Sequence, residues 1–131
     1  MDRLFLDANV LFSAAYSANT GLLQFWKLKN LVLCSSRYAL EEAAINLAQD
    51  VQKRRLEKLV VTIEFFEPMS HNLPQDLTLP DKDVPIFLAA VAAQATHLIT
   101  GDVRHFGRYF GKRMEGMLVL PPGDYLRKIG V

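Results

Sequence analysis

At residues 4–11 the chain reads Leu4-Phe5-Leu6-Asp7-Ala8-Asn9-Val10-Leu11. The largely apolar run Arg3–Leu6 predicts a short buried β-strand that stops at Asp7. From Val10 to Tyr16 the spacing of apolar residues then predicts one or two turns of helix. The stretch therefore predicts a strand that leads into a helix through an acidic turn.

The same alternation of strand and helix patterns continues along the chain. Further strands are predicted at Leu31–Cys34, Thr62–Glu67, His97–Thr100 and Met117–Leu120. Helices are predicted from Thr20 to about Lys29, after Ser35-Ser36 through Leu47, from about Asp50 to Val60, after Asp83, from Val103 to Phe110, and from Asp124 to Ile129. The segment Pro68–Lys82 holds three prolines and is predicted to be a loop.

Short apolar strands separated by helices predict right-handed crossovers and a parallel sheet that is covered on both faces. The predicted fold class is therefore α/β, a three-layer α/β/α sandwich with a mostly parallel central sheet. The chain has 131 residues, of which 50% are hydrophobic, and this is the size and core content of one domain. We expect a single domain over residues 1–131.

Composition excludes several classes of protein. The only cysteine, Cys34, follows apolar residues and is expected to be buried, so neither an intramolecular disulfide nor a cysteine-based zinc site is possible. A net charge of +1 excludes a polycation that coats nucleic acid indiscriminately. The sequence has no recognisable signal peptide, and its most apolar window, Val84–Thr100, falls short of a bilayer span. We therefore expect a cytoplasmic protein that does not enter the membrane.

Four acidic residues follow or flank the predicted strands. Asp7 comes directly after the first strand and Asp102 after the strand that ends at Thr100. Asp83 begins the helix that leads into the strand His97–Thr100. Glu42 lies one to two turns into the helix after the strand Leu31–Cys34. Functional crevices of open parallel sheets lie beyond the carboxyl ends of the strands, so this topology can bring all four acids to one edge.

Crowded carboxylates repel one another unless a cation compensates their charge. Oxygen ligands suit hard ions such as Mg²⁺ or Mn²⁺, which can orient and deprotonate water for attack on a phosphodiester. Each acid also has a structural interpretation, because Asp83 or Asp7 can cap a helix and Asp102 can be a turn residue. Glu41 and Glu42 can both be solvated helix residues. The combination of acids, more than any single one, indicates a metal site.

The sequence resembles the PIN domain family, which includes the ribonuclease toxins of prokaryotic toxin–antitoxin pairs. The resemblance spans nearly the whole chain, and it is carried by residues 4–11, Ser35-Ser36 with Glu41-Glu42, Asp81-Lys82-Asp83, residues 98–102 and residues 119–122. It implies a metal-dependent endoribonuclease site in a parallel-sheet sandwich, usually in a homodimer. On this resemblance Asp7, Glu42, Asp83 and Asp102 occupy the acidic positions of the family. Glu41 competes with Glu42, and Asp81 with Asp83.

Polar residues beside these acids receive supporting roles. The resemblance places Asn9 and Thr100 where they can orient Asp7 or Asp102 or hold water on a metal. Arg104 and Arg108 follow Asp102 and are candidate contacts to RNA phosphates. His105 can steer phosphate or transfer a proton, although a metal-site nuclease does not require it.

The leading hypothesis is an endoribonuclease that uses Mg²⁺ or Mn²⁺ and is restrained by a small antitoxin protein. The alternative is a non-catalytic or weakly active PIN module that binds RNA or a partner protein, and the near-neutral charge gives this hypothesis some support. A phosphate-receiver α/β protein also places acids at strand ends, but it needs a lysine after the last strand. Here that strand runs into Pro121-Pro122.

Overall fold

The fold is built on one six-stranded sheet, which the computed structural model of residues 1–131 describes in full. The strands are β1 (Asp2–Leu6), β2 (Leu31–Ser35), β3 (Glu64–Phe65), β4 (His97–Ile99), β5 (Arg113–Met114) and β6 (Met117–Leu120). Their order across the sheet is β3-β2-β1-β4-β6-β5. All neighbouring pairs are parallel except β5 and β6. The expectation of an α/β fold with a mostly parallel sheet is confirmed.

Six α-helices connect and cover these strands. They are α1 (Ala8–Tyr16), α2 (Arg37–Asn46), α3 (Asp50–Leu59), α4 (Val84–Ala92), α5 (Val103–Phe106) and α6 (Pro122–Lys128). The connections from β1 to β2 and on to β3 run in one direction across the sheet, and those from β3 to β4 and on to β6 run in the other. Right-handed crossovers therefore place α1, α2 and α3 over one face, where α1 packs against both others, and α4 and α5 over the opposite face.

The core lies around the two central strands. In β1, Leu4, Phe5 and Leu6 are completely buried, because this strand has neighbours on both sides and helices over both faces. That arrangement explains the continuous apolar run in the sequence. Cys34 in β2 is buried as expected, and burial raises the pKa of its thiol to about 11. The longest helices have 10 residues, so none approaches the length and apolarity that crossing a bilayer requires.

Three local predictions need correction, and one strand was missed. The strand predicted over Thr62–Glu67 is only two residues long, Glu64–Phe65, and Thr62 belongs to a 3₁₀ turn. The helix predicted after Thr20 is a 3₁₀ segment, Gly21–Lys27, with Thr20 as its N-cap. The helix predicted over Val103–Phe110 is α-helical only to Phe106, and a 3₁₀ turn over Gly107–Tyr109 replaces its second half. Strand β5 was not predicted. Glu115 and Gly116 both have positive φ, as a two-residue hairpin turn requires, and this turn pairs β5 with β6.

Candidate metal centre

The four predicted acids line one crevice at the carboxyl ends of the central strands. The crevice has a volume of about 550 Å³, and its lining includes Asp7, Glu42, Asp83 and Asp102. They come from four different parts of the chain: the end of β1, α2, the start of α4 and the turn after β4. β1 and β4 are adjacent parallel strands, so their ends lie side by side. The topology thus brings together acids separated by up to 95 residues in sequence.

Asp7 caps α1 and also faces the crevice. Its Oδ1 accepts a hydrogen bond from the backbone N–H of Ala8 at 2.7 Å. Its Oδ2 accepts from Thr100 Oγ1 at 2.8 Å and from Asn9 Nδ2 at 3.1 Å. A carboxylate has about four acceptor positions, so at least one stays available for a ligand in the crevice. The capping interpretation and the site interpretation of this residue are therefore compatible.

A small hydrogen-bond network holds the ends of β1 and β4 together. Asn9 donates to Thr100 Oγ1 at 3.3 Å, and its Oδ1 accepts from the backbone N–H of Gly101 at 2.8 Å. Thr100 Oγ1 also accepts from the backbone N–H of Asp102 at 3.1 Å. Asn9 and Thr100 therefore lie beside the acids, and they connect Asp7 to the Asp102 turn.

Asp83 and Asp102 both contact the imidazole ring of His105. The Nδ1 atom of His105 lies 2.8 Å from Asp83 Oδ2 and 2.9 Å from Asp102 Oδ2. Asp102 also caps α5, because its Oδ1 accepts from the backbone N–H of His105 at 3.0 Å. Asp83 makes no capping bond, although it immediately precedes α4. The capping interpretation of Asp83 is wrong, because its side chain turns away from the helix toward His105.

The electrostatics of the crevice disfavour ionised carboxylates without a cation. Burial raises the pKa of Asp7 to about 6, and the charges of Asp83 and Glu42 add to this effect. The hydrogen bonds from Thr100 and Ala8 oppose it only partly. Burial also raises the pKa of Asp83, against the opposing effect of His105. A divalent cation would relieve both effects, since it favours the ionised form of each group.

The structure separates the acids that the sequence could not tell apart. Glu42 is half-buried in the crevice, whereas Glu41 faces a different groove, between α2 and α3. Asp83 is buried in the crevice, whereas Asp81 is exposed and lines a separate cavity next to His71. For Glu41 and Glu42 the rotation about the axis of α2 decides the choice, since successive residues of an α-helix point about 100° apart. Asp81 and Asp83 lie on a 3₁₀ turn before α4, and its path decides which of them faces the crevice.

The candidate phosphate contacts lie outside the lining of the crevice. Arg104 and Arg108 are exposed and do not line the crevice, and the guanidinium of Arg108 lies 5.9 Å from the centre of the Tyr109 ring. The cation that does line the crevice is Lys82, between the competing acids Asp81 and Asp83. Sequence reasoning gave it no role. Its position next to Asp83 in the sequence was the only local feature that could have indicated a place in the site.

The residues present fit a divalent metal. Asp83 Oδ2 is buried and makes no hydrogen bond, although it lies 2.8 Å from His105 Nδ1, and a cation is one partner that satisfies a buried carboxylate oxygen. Carboxylate oxygens of Asp83 and Asp102 and a nitrogen of His105 lie within 4.8 Å of one another, close enough to share one ion. Oxygen-rich donor sets of this kind suit Mg²⁺ and Mn²⁺.

Comparison with known proteins agrees with the fold. The PIN domain family model matches residues 3–104, more than three quarters of the chain, and the chain belongs to this family. Among solved structures, it is similar to a chain described as "VapBC2 from Rickettsia felis bound to a DNA fragment from their promoter", with a TM-score of 0.63 and 15% identity. The match covers 91% of this chain and 98% of that one. No curated protein matches the sequence. PIN domains are generally nucleases, so family membership supports a hydrolase that acts on nucleic acid.

Proposed function

We propose that this protein is a divalent-metal-dependent endoribonuclease that hydrolyses phosphodiester bonds of RNA. The observation that carries the proposal is the convergence of four carboxylates, Asp7, Glu42, Asp83 and Asp102, in one crevice. No hydroxyl or thiol nucleophile is required by such a site. Membership in the PIN domain family supports the same chemistry.

The four acids would hold Mg²⁺ or Mn²⁺. When bound, such an ion supplies activated water for in-line attack on phosphorus and stabilises the charge of the leaving oxygen. The protein's own residues have a separate task, which is to keep the carboxylates in place. Thr100 and Asn9 fix Asp7 Oδ2, and the backbone N–H of His105 fixes Asp102 Oδ1. Ligands that are already positioned lose little conformational entropy on binding.

RNA would reach this crevice through local positive charge, because the net charge of the molecule is only +1. Lys82 lines the crevice, and Arg104 and Arg108 are exposed cations on the segment that follows Asp102. Contacts from such side chains to phosphates position a strand without reading its sequence. We therefore assign these three residues to substrate binding.

The test is cleavage of RNA by the purified protein in Mg²⁺, in Mn²⁺ and in chelator, with Glu42→Gln and Glu41→Gln as a matched pair. We expect cleavage only with metal. Glu42→Gln should lower the rate about 10- to 100-fold, because it removes a ligand charge, whereas Glu41→Gln should stay within about twofold of wild type. If neither ion supports cleavage and neither binds, the proposal is wrong.

We further propose that a small antitoxin protein restrains the enzyme by covering the groove between α2 and α3. The apolar lining of this groove comes from Leu40, Ala44, Ile45, Leu56 and Val60, and Ile45 is 81% exposed. Leu40, Ala44 and Val60 are partly exposed, and Leu56 forms the buried floor. An apolar groove with an exposed apolar residue on it is typical of protein interfaces. The similar VapBC2 structure is described with the words "their promoter", a plural that fits a protein bound to a partner. A homodimer and a cytoplasmic location stay predictions.

Ile45→Lys tests this partner surface. The charge would lie in the apolar groove, so we expect binding to the product of the neighbouring reading frame to weaken by about 2 kcal/mol or more. Isothermal titration calorimetry measures the loss, and cleavage by the free enzyme should be unchanged. Met69→Lys is the matched control, because Met69 is equally exposed but lies on the loop after β3. Equal weakening by both variants would place the partner elsewhere.

A further inference from the structure

The side chain of His105 is not one of the four carboxylates, yet it contacts two of them. Its Nδ1 atom is 2.8 Å from Asp83 Oδ2 and 2.9 Å from Asp102 Oδ2. We infer that His105 Nδ1 is a direct ligand of the divalent metal, which makes the centre a mixed nitrogen–oxygen site that prefers Mn²⁺ to Mg²⁺. This inference rests on the metal site of the proposed function and adds a ligand and a selectivity to it.

The contacts of His105 are close but are not hydrogen bonds. Although both distances lie in the hydrogen-bonding range, neither His105 Nδ1 nor Asp83 Oδ2 has a hydrogen-bond partner. The hydrogen on a ring nitrogen is confined to the ring plane, so a short contact outside that direction gains little. An unpaired buried polar atom costs about 1–3 kcal/mol. The two contacts are ion pairs only when the imidazole is protonated. When Nδ1 carries a lone pair instead, it faces the lone pairs of both carboxylate oxygens, and a cation can accept all three.

The distances agree with ligands on one ion. Bonds of about 2.1 Å at right angles around a small divalent cation separate neighbouring donor atoms by about 3.0 Å. The separations of His105 Nδ1 from the two carboxylate oxygens, 2.8 and 2.9 Å, are close to this value. All three atoms also lie within 4.8 Å of one another. Asp83, Asp102 and His105 can therefore occupy neighbouring positions around a single ion.

The position of His105 is fixed by the backbone. It lies three residues after Asp102, and its backbone N–H donates to Asp102 Oδ1, so the cap that orients the carboxylate also fixes the backbone of His105 next to it. Its side chain is only 21% exposed. Ligation through Nδ1 places the ring hydrogen on Nε2. His105 is thus placed by the same turn that places the Asp102 carboxylate.

A nitrogen ligand changes the preference among metals. Mg²⁺ favours oxygen donors and gives up its bound water reluctantly. Transition-metal ions such as Mn²⁺ accept an imidazole nitrogen more readily than Mg²⁺ does. A purely carboxylate site would bind Mg²⁺ and Mn²⁺ through the same donors. With His105 included, the site gains more for Mn²⁺ than for Mg²⁺.

The experiment is pulsed electron paramagnetic resonance of bound Mn²⁺, which detects a directly coordinated ¹⁴N nucleus without any activity readout. We expect ¹⁴N modulation in wild type and its loss in His105→Gln. His71→Gln is the matched control, because His71 is exposed on a loop outside the crevice. His97 packs edge-on against Tyr125 and supplies no competing signal from the site.

Calorimetric titrations with each ion complete the test. His105→Gln should weaken Mn²⁺ binding about tenfold or more and Mg²⁺ binding by less than about threefold. Thermal unfolding without metal checks that the variant folds. Mn²⁺ bound by wild type without ¹⁴N modulation, or an unchanged ratio of the two affinities in the variant, would overturn the inference and leave the proposed nuclease standing. Failure of wild type to bind either ion would overturn both.

Discussion

Replacing Asp7 by Asn is expected to lower the rate of RNA cleavage at least about 10³-fold, which corresponds to a loss of roughly 4 kcal/mol of transition-state stabilisation. Asp7 is 4% exposed, and its Oδ2 is held by Thr100 and Asn9 at the end of β1. An amide keeps the shape of the side chain but removes its charge. The metal would therefore lose the ligand that the protein positions most firmly.

The matched control for this experiment is Asp81→Asn. Asp81 is exposed and lies outside the crevice, so its variant should cleave RNA within about twofold of wild type at the same metal concentration. Asp102→Asn should behave like Asp7→Asn. Single-turnover cleavage of a labelled RNA measures all three variants. Equal rates in wild type and in the Asp7 and Asp102 variants, including no cleavage at all, would favour a non-catalytic PIN module.

The same substitution should have an opposite effect on stability when no metal is present. Burial raises the pKa of Asp7 from 3.8 to about 6 in the folded protein. A raised carboxyl pKa stabilises the fold below pH 3.8, and this contribution is lost as the pH rises through about 6. At pH 8 in chelator, Asp7→Asn should therefore raise the free energy of unfolding by about 1–2 kcal/mol, because altered bonds to Asn9 and Thr100 offset part of the gain.

Urea unfolding at pH 4, 6 and 8 measures this effect. The difference between the variant and wild type should be smallest at pH 4 and grow toward pH 8, while Asp81→Asn should follow wild type throughout. Saturating Mn²⁺ should reverse the order at pH 8, since it stabilises only a protein that binds it. If Asp7→Asn is less stable than wild type at pH 8 in chelator, burial of the ionised Asp7 carboxylate does not destabilise the fold.

Much of the fold could be predicted from local patterns. The apolar runs at Leu4–Leu6 and Leu98–Thr100 lie in or next to central strands, and the acids that follow them, Asp7 and Asp102, lie at the strand ends. Where patterns were weak, prediction failed. The Glu115-Gly116 turn hid the β5–β6 hairpin, because only one of its two positive-φ positions is a glycine. Four residues of α-helix at α5 are too few to give a periodic signal.

For the candidate site, too, local features could be predicted from the sequence and features that depend on packing could not. Sequence alone determined that acids follow the ends of parallel strands, because strand ends and turns are local features with local signals. Only the tertiary structure decided that Glu42 and Asp83 face the crevice while Glu41 and Asp81 do not, and that His105 lies between Asp83 and Asp102. These outcomes depend on how helices from distant parts of the chain are rotated and packed over the sheet. A difference of one or two residues then moves a side chain from one surface to another, and no local pattern records it.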